Sequence, residues 1–149
     1  MVKPRILLAD NHPAVREALR DLLDEWGEVV GMVSNGQVLV KAAQWLEPDI
    51  IISDISMPKM NGLDATRALQ ICAPQSRVII MTAHREPVYA ALAFDAGARG
   101  FLLKRVALHA ELPQAILHVL AGDRYIGRGV SEEWVPVNGA KVHTRMSQL

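Results

Sequence analysis

Several side chains that could carry chemistry stand just after short apolar runs of the sequence. Asp10 and Asn11 follow the first run, Asp54 follows the third, Thr82 the fourth and Lys104 the fifth. Two carboxylates and an amide oxygen can hold a small hard cation such as Mg²⁺, which prefers oxygen ligands. A hydroxyl and an ammonium group can hold the oxygens of a phosphoryl group. A carboxylate facing that group can attack it and form an acyl phosphate, so the set predicts phosphoryl transfer.

These side chains can act together only if one sheet positions them. Each of the five apolar runs has the length of a strand, and four are apolar on both faces, as in a parallel sheet covered by helices on both sides. Because ligands bind outside the carboxyl ends of such strands, we name this edge, with Asp10, Asn11, Asp54, Thr82 and Lys104, the carboxyl-end rim. The predicted strands are residues 6–9, 29–33, 50–52, 78–81 and 101–103.

Segments with helical spacing of apolar residues alternate with the strands. The strict alternation predicts an α/β fold, a flavodoxin-like (βα)5 doubly wound parallel sheet with strand order 2-1-3-4-5. Pro13 suits the first turn of the first helix, and Asn61 is placed to cap the third. The predicted helices start near residue 13, cover 38–46, start at 62, and cover 87–96 and 110–121.

Composition excludes several classes of protein. The 16 basic and 16 acidic residues give a formal net charge of zero, which argues against a nucleic-acid-binding module standing alone. The single cysteine, Cys72, cannot form an internal disulfide. No apolar run approaches the roughly 20 residues needed to cross a bilayer, and no signal peptide precedes the first strand. We therefore expect a cytoplasmic protein with no membrane contact.

The periodic pattern of apolar residues ends after Gly122. Residues 123–149 show no sustained helical or strand period, and glycines and prolines interrupt them. We predict a domain over residues 1–122 and a linker or tail over residues 123–149, with one ordered turn near Tyr125 and Ile126. Trp134 in the tail has no assigned role.

The rim residues resemble a known family. The runs LADNHP at 8–13, SDISMPKMNGL at 53–63, MTAH at 81–84 and GARGFLLK at 97–104 are similar to the receiver domain of two-component response regulators. The resemblance covers about residues 4–122 and is closest to the NarL/LuxR-type transcription factors. It implies that the chain ends where a C-terminal helix-turn-helix DNA-binding domain would begin. A natural single-domain regulator with a frayed tail is the alternative.

The resemblance implies a role for each matching residue. Asp54 matches the aspartate that accepts a phosphoryl group from a sensor histidine kinase, with Asp10 and the backbone carbonyl of Ser56 beside it around Mg²⁺. Lys104 matches the lysine that contacts the phosphoryl group, and Thr82 matches the switch hydroxyl. Further matches are the aromatic switch residue Phe101, the small access residue Ala83, and the positions that tune acyl-phosphate lifetime, Ser56 and His84.

One residue departs from the family pattern. Asn11 stands where the family carries an acid that contacts the metal, so the lost charge should weaken Mg²⁺ binding. Asn11 has a second interpretation as a cap of the first helix. A transition-metal pair of His12 and His84 is disfavoured because no further nitrogen or sulfur ligands stand nearby.

The resemblance implies a signalling domain rather than an enzyme. Phosphorylation would shift the fourth helix, fifth strand and fifth helix, and that face would form a homodimer. DNA would be bound only through the absent C-terminal domain. One alternative is a degenerate receiver that acts as a phosphorylation-independent interaction module because of Asn11. An enzyme alternative, a flavin carrier or a phosphatase, is disfavoured because Asp10 would repel a phosphate and Ser56 is not an acid.

Overall fold

A computed structural model describes residues 2–107, 111–130 and 142–144. The described residues form a seven-stranded parallel sheet in the order β2-β1-β3-β4-β5-β6-β7. The strands are β1 Arg5–Ala9, β2 Glu28–Val33, β3 Ile50–Ser53, β4 Arg77–Thr82, β5 Gly100–Leu103, β6 Arg124–Ile126 and β7 Val142–Thr144. The helices are α1 Pro13–Leu23, α2 Gly36–Leu46, α3 Gly62–Cys72, α4 Pro87–Asp95, α5 Lys104–Val106 and α6 Leu112–Leu120.

The predicted flavodoxin-like fold is confirmed. All five predicted strands are present, and they pair in the predicted order 2-1-3-4-5. The predicted fifth helix corresponds to α6, which begins at Leu112 with Pro113 in its first turn, where a missing N–H is tolerated. The predicted cap of the third helix is also confirmed, since Asn61 Oδ1 accepts a hydrogen bond of 2.8 Å from the Asp64 N–H.

Two apolar layers hold the sheet between its helices. Alternate residues of β1 point to opposite faces, so Leu7 packs in the layer beneath α2, α3 and α4, and Ile6 and Leu8 pack in the layer beneath α1 and α6. All three side chains are completely buried. Burial on both faces explains why the central strands read as continuous apolar runs.

The sheet continues into the segment predicted to be a linker. β6 pairs with the outer edge of β5, Gly100 with Tyr125 and Phe101 with Ile126. Ile126 is 2% exposed, and β7 pairs with β6. The packed fold therefore extends past residue 122, the predicted boundary. A strand of three residues shows no measurable period in the sequence, and Trp134 lies outside the described residues.

A buried carboxylate fastens the segment after β6. Glu111 accepts hydrogen bonds from the Tyr125 hydroxyl at 3.0 Å and from the backbone N–H of Arg128 at 2.9 Å. These bonds satisfy an acidic group that is only 6% exposed.

In the part of the chain that is described, none of the helices has both the length and the apolar character needed to span a bilayer.

We expect the substitution Ile126→Ala to lower the free energy of unfolding by about 2–4 kcal/mol, because it opens a cavity at a buried position of β6. Urea denaturation measures the change. Leu117→Ala is the control, since Leu117 is 56% exposed on α6 and its truncation should cost less than about 1 kcal/mol. Equal, small effects of both variants would show that β6 adds nothing to the stability of the fold.

Candidate functional site

Two neighbouring strands bring the carboxylates of Asp10 and Asp54 together. β1 and β3 pair so that Ala9 lies opposite Ser53, and each aspartate directly follows its strand. The Asp54 N–H donates to the Ala9 carbonyl at 2.9 Å, which carries the pairing one residue beyond the strands. Asp10 is 1% exposed and Asp54 is 4% exposed. Two buried carboxylates whose oxygens lie within 4.8 Å of each other require a compensating positive charge.

Lys104 supplies that charge from the end of β5. Its Nζ atom lies 2.6 Å from Asp10 Oδ2 and donates a hydrogen bond of 2.9 Å to Asp54 Oδ2. Burial alone would lower the pKa of Lys104, but the contacts with Asp10 and Asp54 outweigh it and raise the pKa above its ordinary value of 10.5. The ammonium group is therefore charged at neutral pH and bridges the two carboxylates.

The remaining carboxylate oxygens are held by the backbone. Asp10 Oδ1 accepts from the His12 N–H at 2.9 Å, and Asp54 Oδ1 accepts from the Ile55 N–H at 2.7 Å. Asp10 Oδ2 is also buried, and its neighbour is the Lys104 ammonium group, whose Nζ atom lies 2.6 Å away.

The donor set fits a divalent cation. Asp10, His12 and Asp54 each offer one ligand atom, and these atoms all lie within 4.8 Å of one another. Carboxylate oxygens are the ligands that a hard divalent cation prefers. With two carboxylates and one ammonium, these three groups retain one negative charge for a cation to balance. Sequence reasoning weighed His12 only as a possible metal ligand together with His84 and did not place it beside Asp10.

Thr82, Ser56 and His84 meet at the same rim. Thr82 ends β4, between β3 and β5, and its buried hydroxyl oxygen accepts a hydrogen bond of 3.1 Å from the His84 N–H. Ser56 Oγ lies 2.9 Å from His84 Nε2, and the His84 ring stacks on Tyr89 with centroids 4.5 Å apart. Contacts therefore lead from the rim to the first turn of α4.

The other predicted site residues occupy different surroundings. Phe101 is 1% exposed and packs in the apolar layer beneath α2, α3 and α4, while Ala83 and Asn11 are exposed. The interpretation of Asn11 as a cap is wrong, because the N-cap residue of α1 is His12 and no side chain among the described residues caps that helix. Asn11 thus stands at the rim without a helical role.

A close backbone approach fixes the Asp54 loop. The Gly62 N–H donates to the Ile55 carbonyl at 2.8 Å, and a Cβ atom on Gly62 would lie 1.9 Å from the Asp54 carbonyl oxygen. Any larger residue would push α3 away from this loop. The Ser53 hydroxyl donates to the same Asp54 carbonyl at 2.8 Å, so the backbone behind the carboxylate is held from two sides.

Comparison with known proteins identifies a family. The model of the response regulator receiver domain matches residues 6–117. The response regulator GacA of Pseudomonas viridiflava is 37% identical over 131 residues, which cover 87% of this chain and 61% of that protein. The chain thus spans about three fifths of the length of the curated relatives it matches.

Solved structures agree with this assignment. A two-component response regulator of the LuxR family from Aurantimonas sp. SI85-9A1 is 34% identical with a TM-score of 0.79, and the match covers 89% of this chain and 92% of that one. The response regulator RcsB, solved as a complex with DNA, is 26% identical with a TM-score of 0.80, over 89% of this chain and 67% of that one.

We expect Lys104→Met to lower the free energy of unfolding by about 3 kcal/mol at pH 8, because it leaves two buried carboxylates without their counter-charge. Since the folded-state pKa of Lys104 lies above 10.5, its stabilisation is complete below that pH and is lost as the pH rises through the folded-state value. Urea denaturation from pH 8 upwards should therefore show the two proteins converging above pH 10.5. The exposed Lys41 gives the control Lys41→Met, and a stability of Lys104→Met equal to that of the wild type at pH 8 would contradict the bridge.

Proposed function

Because the chain belongs to the response regulator receiver family, a family of signalling domains rather than classical enzymes, we propose that Asp54 accepts a phosphoryl group from a sensor histidine kinase. The bridge from Lys104 to Asp10 and Asp54 carries the proposal. It places one ammonium group within hydrogen-bond distance of both a nucleophilic carboxylate and a second carboxylate. That is the charge pattern that phosphoryl transfer to a carboxylate needs.

In the proposed reaction a carboxylate oxygen of Asp54 attacks the phosphorus of a phosphohistidine. The new O–P bond forms as the P–N bond breaks, and the leaving imidazole takes up a proton. When bound, Mg²⁺ supplies charge neutralisation, and Asp10, Asp54 and the Ser56 carbonyl are the proposed ligands, with Asn11 as a weakened one. Lys104, already hydrogen-bonded to Asp54, is positioned to hold the oxygens of the transferred group.

The proposed switch uses residues that surround the acceptor. Thr82 would donate a hydrogen bond from its hydroxyl to the phosphoryl group. It would thereby lose the hydrogen bond that its oxygen now accepts from the His84 N–H. Phe101 is the aromatic residue that would move with it, and the small side chain of Ala83 leaves access to Asp54. The resulting shift between two conformations requires only that phosphorylated Asp54 stabilise one of them more than the other.

The proposed output is a change in self-association. We assign the homodimer to the face formed by α4, β5 and α6. Val88, which is 50% exposed, and the partly buried Ala91 and Leu92 give α4 an apolar surface. The DNA complex of RcsB supports an output through transcription. We propose residues 1–122 as the phosphoacceptor domain and residues 123–149, in which β6 and β7 extend its sheet, as the segment that leads toward a DNA-binding domain.

Incubation with acetyl phosphate and Mg²⁺ tests the acceptor. We expect intact-mass spectrometry to show the addition of one phosphoryl group to the wild type and none to Asp54→Asn, because the amide is not a nucleophile. Asp21→Asn, at an exposed position of α1, is the matched control and should be modified like the wild type. Equal modification of wild type and Asp54→Asn would refute the assignment.

Restoring a charge at the rim tests the metal ligands. We expect Asn11→Asp to lower the dissociation constant for Mg²⁺ on the order of tenfold, because affinity for hard cations follows the number of charged ligands. Isothermal titration calorimetry gives the constant, with Asn11→Ala as the companion variant that removes the amide oxygen. An unchanged constant in Asn11→Asp would exclude this position from the site. If no variant binds Mg²⁺ at about tens of millimolar while dimerisation or binding to a partner protein is normal, the degenerate receiver is favoured.

A further inference from the structure

The strand β6 is held against β5 by its backbone and by both of its faces. The Tyr125 N–H donates to the Arg99 carbonyl at 2.9 Å. The Gly127 N–H donates to the Phe101 carbonyl, also at 2.9 Å. Ile126 packs in the apolar layer that contains Phe101, and Tyr125 packs in the opposite layer. The position of β6 is therefore set by the position of β5.

Glu111, at the start of α6, fastens the same segment from outside the sheet. Its Oε2 atom accepts hydrogen bonds from the Tyr125 hydroxyl at 3.0 Å and from the Arg128 N–H at 2.9 Å. One buried carboxylate thus holds two residues that stand on either side of Ile126 and Gly127. Among the described residues, Glu111 makes no capping hydrogen bond from its side chain to α6. Its carboxylate therefore serves β6 rather than the helix that follows it.

The contact of this segment with β5 and Glu111 leaves no spare room. A Cβ atom on Gly127 would lie 2.8 Å from Leu102 Cδ2 and 2.9 Å from Glu111 Oε1. Groups packed this closely change between discrete arrangements rather than deform continuously. A displacement of β5 therefore breaks contacts with β6 instead of stretching them.

Two elements of the proposed switch touch β6. Lys104, which donates a hydrogen bond of 2.9 Å to Asp54, directly follows β5, the strand that pairs with β6. The guanidinium group of Arg124 in β6 lies 5.6 Å from the centre of the Phe94 ring in α4, a cation–π contact. Both β5 and α4 belong to the face that is expected to shift when Asp54 is phosphorylated. A shift of either element would therefore act on β6.

We infer that Glu111 is a positioning residue for the phosphorylation switch: it holds β6 against β5 in the unmodified conformation, and phosphorylation of Asp54 loosens β6. The inference rests on the proposed function, because the shift begins at Asp54. Since β6 fits the present position of β5, its contacts oppose the shift. Coupling between two sites is reciprocal, so a change that loosens β6 strengthens the binding of a phosphoryl-like group at Asp54.

Beryllofluoride with Mg²⁺, added to the full chain, is the probe, because it joins a carboxylate oxygen and resembles an acyl phosphate. We expect hydrogen exchange followed by mass spectrometry to become faster, on the order of tenfold, at the Tyr125 and Gly127 amides of the wild type. Asp54→Asn lacks the carboxylate that the probe joins and should show no change. The amides of β1 and β3 should keep their exchange rates, which separates local loosening from global unfolding.

Variants of the Glu111 contacts test the reciprocal effect. Glu111→Ala removes both hydrogen bonds, and Tyr125→Phe removes one while keeping the ring. Without the probe, both variants should speed exchange over residues 124–128. A ¹⁹F NMR titration should show the dissociation constant for beryllofluoride lowered about fivefold in Glu111→Ala and less in Tyr125→Phe. If Glu111→Ala does not fold, Tyr125→Phe decides.

Two further variants serve as controls. In Glu111→Gln the amide oxygen can still accept both hydrogen bonds, so this variant should restore the exchange rates and the dissociation constant of the wild type. Glu25→Ala removes a carboxylate at an exposed position after α1 and should behave like the wild type in both measurements.

Two outcomes would overturn the inference alone. One is beryllofluoride binding to the wild type that leaves exchange at β6 unchanged or slower. The other is faster exchange at β6 in the variants with an unchanged dissociation constant, which would make Glu111 a purely structural residue. In both cases the probe still binds at Asp54, so the proposed function stands. If neither beryllofluoride nor acetyl phosphate modifies the wild type, the proposed function fails and the inference fails with it.

Discussion

Two buried carboxylates at the ends of adjacent strands impose the main physical constraint on this protein. Asp10 and Asp54 are drawn together by the pairing of β1 with β3, and their like charges repel at low dielectric. Lys104 offsets this repulsion by contacting both, and its raised pKa follows from the same two contacts. One ammonium cannot cancel two carboxylates, so the three groups keep a surplus negative charge that a divalent cation can neutralise.

The rest of the fold keeps this arrangement rigid. The apolar layers on both faces of the sheet fix the strands, and the backbone hydrogen bond from Asp54 to Ala9 extends that order into the loop. Gly62 lets α3 approach the Asp54 carbonyl more closely than any side chain would permit. A nucleophilic carboxylate needs such positioning, since much of the barrier to phosphoryl transfer is a matter of orientation and charge.

Contacts connect the rim to two distant parts of the structure. Ser56, His84 and Tyr89 form a continuous path from the Asp54 loop to α4. On the other side, β5 ends at Lys104 and also carries the pairing with β6, whose Tyr125 is bound by Glu111. A change of charge at Asp54 acts directly on Lys104, which is hydrogen-bonded to it. Because Lys104 directly follows β5, that change reaches the strand on which β6 is paired.

The sequence alone determined the alternation of strands and helices, the strand order and the side chains at the strand ends. It could do so because buried parallel strands are continuously apolar and because the resemblance covers whole motifs with their spacing. The tertiary structure alone decided three features. β6 forms because the open edge of β5 offers backbone partners to three residues that show no period of their own. His12 faces the carboxylates because an Asp10 oxygen captures its backbone N–H, which also rules out Asn11 as the cap. The bridge of Lys104 depends on atoms from three strand ends, and distances between such ends are set by pairing and packing rather than by local sequence.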